Sequence, residues 1–420
     1  MQIVLNLVDD DYVEVTTREQ ALEARLKGLE LGQAEKPVFK AEYLDFVSAY
    51  IDSISETLRP VSLRIHDNPE LNYKEFIAHE TLTKFMKTRK GWKVTPSAYG
   101  IETAFIAVFD SGEKGPVISY NAEYGIGHAC GHNLIAISSV AAALASAEAM
   151  IKFSIPGKVV LFGTPAEEGG GGKIELLDAG AYSDHKVDIN LISHPGKVQD
   201  SALVRTNAYL NLKMEYFGKE AHAAAAPWEG INALDALITA YNALSVLRQQ
   251  TMPGDIIQGH ITNGGSAPNI IHAYTSGIFV VRALSKKRLA VLKEKVFKCF
   301  QAGAEATGAK LKITKMMGYD DNVPNKAMGR VCRGAMNTLG SNIAEEEIDL
   351  IRGATQASTD QGNISYAMPS LSLDFMIESE DGPHSPGFAA SARTRQAHVA
   401  ALRAGKGLAV TGLEVLVYSP

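Results

Sequence analysis

Residues 117–136 read VISYNAEYGIGHACGHNLIA. An apolar run of strand length passes into a glycine-rich turn carrying His128, Cys130 and His132, and "AISSVAAALASAEAMI" behind it has the alanine-rich make-up of a buried helix. Strand, tight turn and helix in that order are the building unit of an α/β sheet. The same alternation continues on both sides. "TAFIAVF" precedes it as a strand, and "GKVVLFGTP", "GKIELLDAGAY" and "VDINLISHP" follow as strand, helix and strand. Upstream, "AEYLDFVSAYIDSISETLRPVSLRIHDNPEL" spaces its apolar residues as a helix that ends in a turn at Asn68-Pro69. The pattern predicts an α/β fold with a doubly wound, mostly parallel sheet.

The character changes near residue 204. "LVRTNAYLNLKMEYFG" alternates like a strand with one wet face, and "GINALDALITAYNALSVLRQQ" is a long amphipathic helix. "GHITNGG", "TSGIFVVRAL" and "KKRLAVLKEKVFKCFQAGAEATG" add two strands and a helix before a last strand. This is an inserted α+β unit. The α/β pattern resumes with "RVCRGAMNTLG", "PSLSLDFMI" and "AHVAALRAGKGLAVTGLEVLV". The expected division is an N-terminal extension over 1–42, a main domain over 43–205 and 317–420, and an insert over 206–316.

Bulk properties narrow the class. Of the 420 residues, 46% are hydrophobic and 21% charged, which is ordinary for a soluble globular enzyme. A net charge of −6 with scattered basic residues gives no footprint for nucleic acid. The acidic start "MQIVLNLVDDDYVEV" does not resemble a signal peptide, and no stretch reads as a membrane span of ~20 apolar residues. Three cysteines, Cys130, Cys299 and Cys332, cannot close a disulfide framework, so a reducing, cytoplasmic setting is expected.

Four strand ends carry groups able to bind metal: Cys130 and His132, the adjacent Glu167 and Glu168, His194, and His384. Ligand sites in open α/β sheets gather outside the carboxyl ends of the strands. Each group alone has a bland explanation as a turn or solvated loop, and Cys130 alone could equally be a nucleophile. Together they form a thiolate, imidazole and carboxylate set that suits zinc, with manganese or cobalt as substitutes. Neighbouring glutamates at a strand end point to opposite sides, so one can bind metal while the other serves as general base.

The segments "GIGHACGHN", "TPAEEGGGG", "SHP", "GKEAHAAAAPWEGINALDA", "APNIIHAYTSGIFVVRA" and "STDQGNIS" stand in this order along the chain. In this the chain resembles the co-catalytic zinc metallopeptidases of the M20 family, which include aminoacylases, carboxypeptidase G and auxin-conjugate amidohydrolases. The likeness is strongest to the amidohydrolase branch and its eukaryotic dipeptidase-like members, and "LRIHDNPELNYKE" fits that branch's opening. The resemblance implies up to two Zn2+ per subunit, held by Cys130, His132, Glu168, His194 and His384, with Glu167 as general base. It implies that the insert is a lid and dimerisation domain, so that a homodimer is expected. His222 would stabilise the oxyanion in the partner's site, and Asn269 and Arg282 would bind the substrate's carboxylate. The implied activity is hydrolysis of an amide bond in an N-acyl amino acid or dipeptide-like small molecule by metal-activated water.

The chain also departs from that branch. An Asp-Ala-Leu-Pro segment expected between Tyr124 and Gly125 is absent, and Gln361 stands where methionine is usual. Loss of groups supporting metal ligands costs about 10- to 100-fold in affinity or activity. The shortened approach predicts a strand that ends early or slides, fewer than two metals per subunit and weak hydrolysis, with Glu123 as partial substitute for the missing aspartate. The alternative expectation is a metal-poor relative whose pocket serves biosynthetic chemistry or binding alone.

Overall fold

The computed structural model describes residues 39–125 and 130–418. Most of the expected N-terminal extension, and His128 of the glycine-rich turn, lie outside the described residues. Helices α1 (Ala41–His66) and α2 (Phe76–Lys87) precede a six-stranded sheet. Its strands are β1 (Trp92–Pro96), β2 (Phe105–Asp110), β3 (Val117–Glu123), β4 (Lys158–Thr164), β5 (Ile189–Gly196) and, from the far end of the chain, β12 (Ser370–Met376). The strand order is β1-β2-β4-β3-β5-β12. Pairings β4-β3, β3-β5 and β5-β12 are parallel, while β1-β2 and β2-β4 are antiparallel and form one edge. The doubly wound, mostly parallel α/β sheet expected from the sequence is therefore present.

Both faces are covered. Helix α3 (His132–Phe153) lies against the sheet, with α1 and the closing helix α9 (Arg395–Tyr418) packed on it. α3 is long and apolar enough to cross a membrane by composition, but 89% of its most apolar window is buried inside the protein. It is a core helix. Alternation along β3 sends Ile118, Tyr120 and Ala122 into this layer. The short helices α4 (Gly172–Asp178) and α8 (Gln361–Ala367) cover the opposite face, where Phe162, Leu176, Tyr182 and Ile364 share a second cluster. Ser119, Asn121 and Glu123 of β3 have the opposite parity and are all buried.

The insert is an antiparallel sheet in the order β11-β6-β10-β8, from β6 (Ala208–Phe217), β8 (Ile256–Asn263), β10 (Tyr274–Ala283) and β11 (Lys310–Tyr319). Helices α5 (Ala233–Leu247) and α6 (Lys286–Thr307) bury Leu237, Val296 and Phe300 against Leu212, Met214 and Tyr216. Caps fix the helix starts: Asn232 accepts from the Leu234 amide and Ser285 from the Arg288 amide. A two-stranded ribbon of β7 (Ala221–His222) and β9 (Ile270–Ile271) completes the unit. Helix α7 (Lys326–Thr338) then returns the chain to the main sheet and packs on α9.

The expected early end of β3 does not occur. Its register with β4 is continuous from Val117↔Lys158 to Glu123↔Thr164. The Tyr124 hydroxyl then donates to the Thr103 carbonyl at 2.6 Å, which anchors the strand end from the neighbouring loop. Pairing across the whole length and this buried hydrogen bond hold the strand without the missing residues.

Candidate metal centre

Cys130, His132, His194, Glu167, Glu168 and His384 come together at the carboxyl ends of β3, β4, β5 and β12. Gly131 takes φ 75, which a side chain rarely adopts, and this lets the chain turn from Cys130 directly into α3. His132 is thus the first residue of α3 and is fully buried. Beyond β4, Ala166 takes φ 60 and residues 167–170 form turns, so Glu167 and Glu168 do not lie on the strand as expected. Both glutamates nevertheless face the cluster. Gly172 is required by space, since a side chain there would overlap the Pro165 carbonyl oxygen.

Two trios of ligand atoms share one corner. Cys130, His132 and His194 form the first, and Cys130, Glu168 and His384 the second, with ligand atoms within 4.8 Å of one another in each. Cys130 Sγ stands 3.4 Å from His194 Nε2 and 3.5 Å from His384 Nε2. Glu168 Oε1 lies 3.3 Å from His384 Nε2 and 3.6 Å from His132 Nε2. His194 Nδ1 donates to the Pro195 carbonyl at 2.8 Å, which leaves Nε2 with its lone pair toward the cluster.

Burial and charge decide what this set can do. Burial pushes the Cys130 thiol well above its usual range, and the carboxylates of Glu168, Glu167 and Glu123 add to that. A free thiolate nucleophile is therefore disfavoured, and a cation is what such a thiol needs to ionise. Among the described residues, Glu123 Oε1 and both ring nitrogens of His132 are buried without an aligned hydrogen-bond partner, although Glu123 Oε1 lies only 3.2 Å from His132 Nε2. A metal ion held with Cys130 and His194 would satisfy one of the His132 ring nitrogens. The residues present fit a centre of mixed sulfur, nitrogen and oxygen donors.

Glu167 is buried beside the trios, and its backbone carbonyl accepts from Tyr319 Oη at 2.5 Å. Burial, with the charges of Glu123 and Asp360, raises its carboxyl well above the usual range despite Lys173 nearby. A carboxyl shifted in that direction takes up a proton more readily than an ordinary one, as a general base must.

The lid residues stand apart from the trios. His222 and Asn269 are exposed at the β7–β9 ribbon; His222 Nδ1 accepts from the Ala224 and Ala225 amides, and the Asn269 carbonyl accepts from the Ala223 amide. Arg282 is half-buried, over the Tyr209 ring, and donates to Ser358 Oγ at 3.1 Å. That contact ties the lid to the segment just before Asp360.

Two buried residues escaped the sequence reading altogether. Lys173 in α4 reaches the carboxylates of Glu123 and Asp360, at 2.6 Å from Asp360 Oδ1. Burial alone would push the Glu123 carboxyl up, but the Lys173 ammonium, with His132, holds it well below the usual range. Glu123, weighed as a substitute for the missing aspartate, does stand against the His132 ring. Gln361 is also accommodated: it accepts from Asn121 Nδ2 and donates to Asn190 Oδ1, both at 2.8 Å.

Residues 107–402 match the model of peptidase family M20/M25/M40. The chain is 39% identical over 381 residues to the Xaa-Arg dipeptidase of Mus musculus, covering 87% of each chain. It is 23% identical over 359 residues to the N-acetyl-L-cysteine deacetylase of Bacillus subtilis, covering 80% of this chain and 83% of that one. Among solved structures, a dinuclear metal binding peptidase of the M20 family from Bacillus subtilis superposes with a TM-score of 0.66 at 17% identity. That fit covers 88% of this chain and 100% of the other.

Proposed function

The chain belongs to peptidase family M20/M25/M40 and is a metal-dependent peptidase or amidohydrolase, and from that premise we propose that it hydrolyses dipeptides whose C-terminal residue is basic. The observation that carries the hydrolytic reading is the pair of ligand trios sharing Cys130, with Glu167 beside them. The metal-poor alternative finds no support in a ligand set assembled this completely. Both trios being intact supports two ions per chain, in place of the reduced occupancy expected from the missing segment. Zinc suits the donors, and manganese or cobalt could substitute.

Bound metal would supply Lewis acidity at the scissile carbonyl and an activated water. The chain's own residues do the rest. Cys130, His132, Glu168, His194 and His384 hold the ions. Glu167 takes a proton from the attacking water and returns it to the leaving nitrogen. Arg282 and Asn269 receive the substrate's carboxylate, for which a guanidinium offers two parallel donors. For Arg282 this requires exchange of its contact with Ser358.

The substrate class rests on the Xaa-Arg dipeptidase similarity, and the partner on the lid's surface. Strand β8 is an edge strand, and Ile238, Tyr241 and Val246 of α5 are exposed, Val246 by 74%. An apolar helix face and, among the described residues, an unpaired strand edge on the same insert fit a second copy of the chain. In such a homodimer the exposed His222 of one protomer would serve the oxyanion in its partner's site. The free thiols Cys130, Cys299 and Cys332 suit a reducing, cytoplasmic compartment.

A panel of dipeptides tests this. The expected result is a higher kcat/KM for Xaa-Arg and Xaa-Lys than for Xaa-Glu or an N-acetyl amino acid, with no turnover by Glu167→Gln although its metal content is unchanged. Equal activity on acidic and basic dipeptides would overturn the substrate class. A Glu167→Gln chain of near wild-type activity would overturn the role of Glu167.

A further inference from the structure

Behind the two trios lies a third group of potential ligands: Glu123, His132 and Glu167 also place their ligand atoms within 4.8 Å of one another. Glu123 and Asp360 are essentially inaccessible to solvent, at 2% and 0% exposure, and Glu167 is little more open. Carboxylates gathered in so dry a place call for a cation beside them, because buried charge is costly unless it is paired. The chain supplies that cation from its own sequence. Lys173, itself 0% exposed, brings its ammonium between Glu123 Oε2 and Asp360 Oδ1, and its backbone amide donates to Asp360 Oδ2 at 2.9 Å.

We propose that the Lys173 ammonium is the resident occupant of a cation pocket between Glu123 and Asp360, and that its presence keeps Asp360 and Oε2 of Glu123 out of metal coordination. The pairing divides the carboxylate of Glu123: one oxygen is held by Lys173 and the other is turned to the His132 ring. Lys173 is in this sense a positioning residue, acting on the centre through Glu123.

The geometry explains why an ammonium and not an ion fills the place. A covalently attached cation cannot dissociate, and β3, α4 and the start of α8 converge on it from three directions. Phe162, Leu176, Tyr182 and Ile364 form a buried cluster on the face of the sheet that α4 and α8 cover. Removing the side chain would leave an oxygen-lined pocket of net negative charge, which is the environment that magnesium and calcium prefer. The trios, with thiolate and imidazole donors, prefer softer ions. The two kinds of site can therefore be told apart by the ion offered.

The experiment uses the full chain stripped of metal by a chelator and measures thermal unfolding during titration with MgCl2 or CaCl2, with NaCl at matched ionic strength as control. Wild type is expected to be indifferent to both divalent salts. Lys173→Ala, which opens the pocket, is expected to unfold several degrees lower and to recover at least half of that loss in a saturable way with Mg2+ or Ca2+. Lys173→Met, which fills the space without charge, is expected to lose stability without recovery. If Lys173→Ala does not fold in chelator, Lys173→Ala/Asp360→Asn carries the same titration, with a weaker response expected. A folded Lys173→Ala chain that ignores divalent cations overturns the proposal, as does a Lys173→Met chain as stable as wild type. So does the absence of any response in the double variant when the single one fails to fold. The readout is stability, so failure here leaves the hydrolytic reading standing.

Discussion

Replacement of Cys130 by alanine should empty both metal positions at once, because its sulfur is the single atom common to the two trios. Each trio would fall from three protein ligands to two: His132 with His194, and Glu168 with His384. Supporting groups one step removed from a ligand already contribute about 10- to 100-fold in affinity. Loss of a ligand should then cost at least about 100-fold at each position, or about 2.7 kcal/mol. Packing barely enters, since Cys130 is buried but small and alanine keeps its Cβ. The comparison that isolates the shared corner is with His194→Ala and His384→Ala, each of which removes a ligand from one trio only. Equilibrium dialysis against graded chelator, followed by elemental analysis, gives the stoichiometry. The expected pattern is parallel loss of both ions in Cys130→Ala and loss of one ion in each histidine variant. Two firmly held ions in Cys130→Ala, or loss of both in His384→Ala alone, would refute a shared thiolate.

Two further outcomes follow from the buried polar groups. Gln361→Met restores the residue usual in the amidohydrolase branch but removes two hydrogen bonds to Asn121 and Asn190, so it should destabilise by about 1–3 kcal/mol in denaturant titrations; a neutral or stabilising effect would contradict the network. His398 is buried, and burial lowers its pKa from 6.5 to about 4, with Ser55 its backbone partner and Arg59 opposing protonation. Between those two values the unfolded chain binds the extra proton, so stability is fully present above about pH 6.5 and falls as pH drops toward 4, by on the order of 3 kcal/mol. His398→Gln should flatten that part of the stability profile, and an unchanged slope would show that other groups govern it.

The ligands were legible because strand ends announce themselves. An apolar run of fixed length that stops at Cys-Gly-His, at Glu-Glu or at His-Pro gives both the element and the place where its side chains leave the sheet. Lys173 was not legible, since "GKIELLD" reads as an ordinary helix start whose lysine would face water. Its partner Asp360 lies 187 residues away, and only folding brings the two together. The same holds for Gln361, a departure from the family pattern on paper that fits Asn121 and Asn190 in the sheet. The strand shortening expected from the missing segment misjudged where strength resides: β3 is held by its neighbours along its length, so a deletion in the turn beyond leaves its register intact.

What the sequence determined by itself was the order of strands and helices, the insert between them and the side chains that are candidates to bind metal. These depend on periodicity and on residue chemistry, which are local. The tertiary structure decided which candidate ligands stand together, that Cys130 is the corner common to two trios, and that a buried lysine pairs with the carboxylates of Glu123 and Asp360. Those facts depend on distances between strands far apart in the chain, and on the desolvation that burial imposes on charge. Neither quantity exists until the sheet has formed.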